Sequence, residues 1–146
     1  MKHTIAEIKL NYVPKRLQPV TKISNSETAF KVFLNHWNTG TIEIQEEFKV
    51  IMLNNSNEPL GIYTLSVGGI TFTNVDLRIM FGVLLKSGSV SFITAHNHSS
   101  GSLKPSQPDI AIYNKIRDIA KLHSLKYLDN LILTCNDYYS FADNHI

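Results

Sequence analysis

Val90-Ser91-Phe92-Ile93-Thr94-Ala95-His96-Asn97-His98-Ser99-Ser100-Gly101-Ser102-Leu103-Lys104-Pro105-Ser106-Gln107-Pro108-Asp109 passes from an apolar run, through two histidines, to the threshold of a helix. Val90 to Ala95 reads as a buried strand. Side chains two apart on a strand point the same way, so His96 and His98 aim two imidazoles at one place. Ser99 to Pro108 holds a glycine and two prolines among small polar residues, which reads as a loop. Ile110 to Leu122 then reads as a helix, with Asp109 where it begins. A loop that folds back would bring the Asp109 carboxylate to the two imidazoles. Two neutral imidazoles and a carboxylate are a usual ligand set for a zinc ion that keeps one position open for water. Ser106-x-x-Asp109 ahead of an apolar run reads equally as a capping box, and one Asp can serve both purposes.

Outward from this stretch the chain alternates helices and strands. Ser24-Asn25-Ser26-Glu27 offers N-cap residues before a helix over Thr28 to Trp37, with Ala29, Phe30, Phe33, Leu34 and Trp37 at helical spacing. Trp37 is expected as a core anchor. Glu46 to Leu53 reads as a strand, and Asn54 to Pro59 as the turn before its hairpin partner Leu60 to Leu65. Alternation puts Glu46 with Phe48, Val50 and Met52, and Glu47 with Lys49, Ile51 and Leu53. Glu46 therefore heads one face, at the mouth of a pocket, while Glu47 reads as a solvated edge charge; both acids as surface charges is the plainer alternative. Asp76 caps a helix over Leu77 to Lys86 that is apolar on nearly every side and is expected to pack on several faces. Leu128 to Thr134 and Tyr138 to Ala142 complete the strands. The expected fold class is α/β (mixed α+β), a central mixed sheet flanked by helices.

At 146 residues, 43% hydrophobic and 18% charged, the chain suits one soluble domain with its own core. The single cysteine, Cys135, follows the apolar run Leu131 to Leu133, so a reduced, buried thiol in a cytoplasmic protein is expected. Met1 to Glu7 lacks an apolar signal core, and no run approaches membrane-spanning length. A net charge of +2 is too weak for a dedicated nucleic-acid binder. Residues 1–40 carry six Lys or Arg against two Glu, which makes +4 and leaves −2 for the rest. Residues 1–22 are thus read as a basic arm, with Glu7 to Pro19 an extended arm or edge strand, ahead of a domain over 23–146. Such an arm can touch phosphate or an acidic protein, and more often is simply solvated.

Taken together, His96-Asn97-His98, Ser99 to Gly101 and Pro105-Ser106-x-x-Asp109 resemble the metal motif of the JAB/MPN (JAMM) metallopeptidase family, and in particular its RadC-like bacterial branch. Glu46 to Asn54 is similar to the family's upstream Glu and strand, with the Glu two before the aromatic residue, here Phe48. Gly68-Gly69-Ile70 with Asp76, Leu128-Asp129, and Tyr138 to Asp143 extend the likeness over most of the chain. Two positions depart from it. Ser99 stands where the family usually has Pro, loosening the turn after His98, and Asn130 stands where a His commonly follows Asp129, removing a titratable group.

The resemblance implies a cytidine-deaminase-like sheet architecture and metal-assisted hydrolysis of peptide or isopeptide bonds. It implies Zn2+ on His96, His98 and Asp109, Glu46 as general base, and Ser106 as a donor to the oxyanion. Asn97, between the ligands and facing the other way, is assigned to structural support. The substrate and oligomeric state do not follow from the resemblance. The branch's DNA-repair label is matched by nothing in these residues, and a DNA-repair-associated accessory or a non-catalytic interaction module is the alternative reading. His96-Asn97-His98 is also not the HNH nuclease signature, whose residues are dispersed over a strand-strand-helix unit.

Overall fold

In a computed structural model of the chain, residues 5–7, 21–69 and 74–146 are described. The extended arm expected over Glu7 to Pro19 lies, Glu7 apart, outside the described residues. The elements run α1 (Ser26–Leu34), β1 (Glu47–Leu53), β2 (Pro59–Val67), α2 (Leu77–Ser87), β3 (Ser91–Asn97), α3 (Gln107–Leu122), β4 (Lys126–Leu133) and β5 (Tyr138–Ser140). The strands form one mixed sheet in the order β2-β1-β3-β4-β5. β1 pairs antiparallel with both β2 and β3, β3 pairs parallel with β4, and β5 closes antiparallel on β4. The parallel pair needs a crossover, and α3 supplies it.

Every residue of β1 and β3 is buried, because these central strands are covered on both faces. On one face α1 sets Ala29, Phe30 and Phe33, with Trp37 and Ile42, against Ile51, Leu53, Ile93 and Leu131. On the other, Met80, Phe81 and Leu84 of α2 and Ile116 and Ala120 of α3 meet Phe48, Val50, Met52 and Phe92. The alternation of β1 is therefore real, with its apolar residues divided between two cores. Among the described residues no helix is long and apolar enough to cross a membrane.

Local chemistry fixes the helix ends. The Asn25 side chain accepts from the Thr28 amide at 2.8 Å, and that of Asp76 from the Arg78 and Ile79 amides at 2.9 and 3.3 Å. Gly88, at φ 67°, ends α2 in the left-handed conformation that glycine adopts without strain. Three expectations for the helices need correction. α1 stops at Leu34 rather than Trp37, yet turns past its end still carry Trp37 into the core. α3 begins at Gln107, because Ser106 caps it and Pro108 is tolerated in a first turn, where its missing amide has no partner to lose. α2 packs on one face only, leaving Ile79 and Leu85 about half exposed, because it covers β1 and β2 with nothing beyond it among the described residues. Cys135 is likewise half-buried, since β4 ends at Leu133 and the thiol falls in the turn to β5.

Candidate metal centre

His96 is the second-last residue of β3 and stands opposite Phe48 of β1, whose ring lies parallel to the imidazole with centroids 6.0 Å apart. The ladder then ends and the chain turns back, with Gly101 at φ 74° donating its amide to the His98 carbonyl. That turn lets His98 Nδ1 lie 2.8 Å from the Ser102 carbonyl oxygen. A carbonyl only accepts, so Nδ1 carries the proton and the neutral ring presents an unprotonated Nε2. Asp109 is held in the first turn of α3 by the capping box. The Ser106 amide donates to Asp109 Oδ2 at 2.7 Å, and the Asp109 amide donates to Ser106 Oγ at 3.2 Å. The cap and the site are thus one arrangement.

The three groups converge. The two Nε2 atoms are 3.2 Å apart, and His96 Nε2 and His98 Nε2 each lie 3.2 Å from an oxygen of Asp109. Zinc–nitrogen bonds of about 2.0–2.1 Å at tetrahedral angles place donor atoms roughly 3.3 Å apart, so this spacing fits such an ion. The proton inventory fits as well. With Nδ1 of His98 already donating, a second proton on Nε2 would make that ring a cation, whereas a divalent cation at the focus satisfies all three groups. Among the described residues this is the one His/Asp group with metal-holding geometry. Hydrogen bonding to Asp109, opposed by burial, raises the His98 pKa, with smaller help from Ser102 and the Glu46 charge. Burial pushes Asp109 up, but His96, His98 and Ser106 outweigh it and hold that carboxyl far below the usual range.

Glu46 and Ser106 line the same cleft of about 580 Å³ as the three groups, between β1, the segment before α2 and the first turns of α3. Glu47 does not. It is 7% exposed on the opposite face of the sheet, with Oε2 2.6 Å from Lys49 Nζ. The expectation of a solvated edge charge is therefore corrected, because β1 is a central strand and β2 takes the edge. Lys49 also donates to Thr64 Oγ1 at 2.9 Å and lies over the Trp37 ring at 4.9 Å. This pair went unrecognised in the sequence, although a Lys at an inward position of an otherwise apolar strand was its signal. Asn130 Oδ1 accepts from Thr94 Oγ1 at 2.7 Å, a structural role that needs no titratable ring. His96 Nδ1, in contrast to its counterpart in His98, is buried with no hydrogen-bond partner among the described residues.

Residues 23–146 match the RadC-like JAB domain. The chain belongs to that family. A UPF0758 protein of Flavobacterium johnsoniae is 46% identical to it over 101 residues, covering 69% of this chain and 44% of that protein. A UPF0758 protein of Haemophilus influenzae is 33% identical over 144 residues, 96% of this chain and 62% of the other. That of Gloeothece citriformis is 33% identical over 133 residues, 88% and 53% respectively. The chain thus spans about half the length of the curated relatives it matches, and their names specify no activity. Membership makes hydrolysis the chemistry to consider for this JAB domain, and the His-His-Asp group could bind a metal.

Proposed function

We propose that this RadC-like JAB domain is a zinc-dependent hydrolase of peptide or isopeptide bonds. The observation that supports it is the convergence of His96, His98 and Asp109 in a cleft that Glu46 and Ser106 also line. His96 and His98 would hold the ion through Nε2 and Asp109 through its carboxylate. When bound, zinc supplies a Lewis acid and a water acidified towards ~7. Glu46 takes the attacking water's proton and returns it to the leaving amine. Ser106 Oγ accepts the Asp109 amide and so keeps its own hydrogen to donate to the oxyanion. Phe48 and Ile112 give the cleft apolar walls that limit water around the charges.

The substrate on this reading is a peptide or protein in the cytoplasm, with the basic residues 1–22 as an arm outside the hydrolytic domain over 23–146. Metal analysis of the purified protein beside His96→Ala and Glu46→Gln tests the proposal. His96→Ala is expected to lose zinc. Glu46→Gln is expected to keep it while losing cleavage of a mixed pool of peptides and isopeptide-linked peptides followed by mass spectrometry. Full cleavage by Glu46→Gln would reject Glu46 as the base, and zinc-free protein after loading would reject the hydrolase.

A further inference from the structure

Asn97 sits between the two histidines but faces the other side of the sheet, and it is fully buried. Both of its N–H hydrogens and its oxygen are engaged. Oδ1 accepts from the Glu47 amide at 2.7 Å, while Nδ2 donates to the Ile42 carbonyl at 2.6 Å and to the Gln45 carbonyl at 2.9 Å. Two of the partners are carbonyls and one is an N–H, so the orientation of the amide is unambiguous. The Gln45 carbonyl and the Glu47 N–H belong to the peptide groups immediately before and after Glu46. One side chain therefore grips the backbone on both sides of the acid. It does so where the β1–β3 ladder, whose last pair in this direction is Phe48 with His96, has run out. Beyond that pair the strands must part for a cleft to open, and separated strands cannot hold each other in register. The third bond, to Ile42, ties the grip to a residue buried in the α1 core.

We infer that Asn97 is a positioning residue that sets Glu46 relative to His96 and His98, by replacing the missing rungs of the ladder with its side-chain amide. The inference rests on reading Glu46 as the proton acceptor of the proposed hydrolysis. Asn97 is covalently flanked by both imidazole-bearing residues, so the acid and the two rings share one rigid reference. The Gly68 amide, which donates to the Glu46 carbonyl at 2.7 Å, holds the acid's backbone from the β2 side and makes the grip two-sided.

The test reads the visible absorption of cobalt(II)-loaded protein against pH, a spectroscopic signature independent of any substrate. A carboxylate beside the ion disfavours proton loss from its neighbours, so Glu46→Gln is expected to move the midpoint down by ~0.5 pH unit or more. Asn97→Ser is expected to move it the same way with one cobalt still bound, and the double variant no further than Glu46→Gln alone. If Asn97→Ser does not fold, Asn97→Asp serves instead, since it keeps the acceptor for Glu47 and sets oxygen against the two carbonyls. A shift from Glu46→Gln with none from the Asn97 variant overturns the positioning role and leaves the Glu46 reading standing. No shift from Glu46→Gln overturns the reading of Glu46 itself. Loss of cobalt from the Asn97 variant assigns Asn97 to the ligands and overturns the inference.

Discussion

Two buried polar clusters occupy the same end of the sheet on opposite faces, and they are built on opposite principles. Beneath α1, Glu47 and Lys49 close on each other at 2.6 Å, with Thr64 accepting a further Lys49 hydrogen and the Trp37 ring covering the ammonium. One positive group meets one negative group, and little is left over. Across the sheet, the Nε2 atoms of His96 and His98 and the Asp109 carboxylate meet at one point, with side-chain exposures of 9 to 15%. Acceptors gathered in a part-buried place without matching donors are costly unless a cation or protons join them. A closed cluster holds a fold together, whereas an open one is a place for an ion.

The sharpest way to break that contrast is to remove one member from each cluster. His96→Ala should abolish stoichiometric zinc binding while leaving the chelated protein folded, as measured by metal analysis beside circular dichroism. Lys49→Met leaves Glu47 as an uncompensated buried charge and should cost about 3–5 kcal/mol in urea unfolding, with zinc stoichiometry unchanged in whatever remains folded. Replacing both, as Glu47→Leu with Lys49→Met, should recover most of that loss, because a matched apolar pair carries no desolvation penalty. A double variant as unstable as Lys49→Met alone would mean that the pair's geometry, rather than its charge balance, holds β1 and β2 together.

The open cluster was legible in the sequence and the closed one was not. Strand parity aims the two imidazoles of His-x-His one way, whereas the return of the loop that adds Asp109 was implied by the resemblance, and the three groups do meet. Alternation put Glu46 and Glu47 on opposite faces, and the choice of Glu46 came from the resemblance, in which the Glu lies two before the aromatic residue, here Phe48. That Glu47 is buried depended on which strand is the sheet's edge, a matter of long-range pairing that local pattern does not encode. The one-sided packing of α2 went unforeseen for the same reason. An apolar helix surface says what can be buried, and only the tertiary arrangement decides what is. Asn97 could be assigned to structural support from its parity, but its grip on residues fifty or more positions away required the fold.

Ser106 belongs to both the fold and the open cluster, and its replacement separates the two contributions. Ser106→Ala loses the cap on α3 and should cost ~1 kcal/mol of stability. It should also raise the barrier to hydrolysis by about 2.7–4 kcal/mol, if its hydroxyl is the oxyanion donor. Zinc binding should weaken less than either change would suggest, since the Ser106 amide that holds Asp109 Oδ2 survives the substitution. Unfolding and cleavage measured side by side distinguish the roles. Lost stability with unchanged turnover would leave Ser106 a cap and nothing more.

The smallest expected effect is a reversal of sign rather than a loss. In chelated protein, the hydrogen bond to Asp109 outweighs burial and raises His98 above its ordinary 6.5. Its contribution to stability is therefore complete below about pH 6.5 and is lost as pH rises through the folded pKa. Asp109 is pushed up by burial but held far lower by His96, His98 and Ser106, so its contribution is complete above about pH 4 and fails only in strong acid. In the window above about pH 6.5 the metal-free protein should thus melt at a lower temperature as pH increases. Metal binding requires the same groups deprotonated, so with excess zinc the melting temperature should rise across that window. His98→Ala should flatten the chelated slope and remove the zinc-induced rise together. Thermal unfolding at several pH values, with chelator and with zinc, checks all three curves. Parallel slopes in the two conditions would mean that protons and the ion do not compete for one place, and the open cluster would then be a hydrogen-bonded triad of the same closed kind as Glu47 and Lys49.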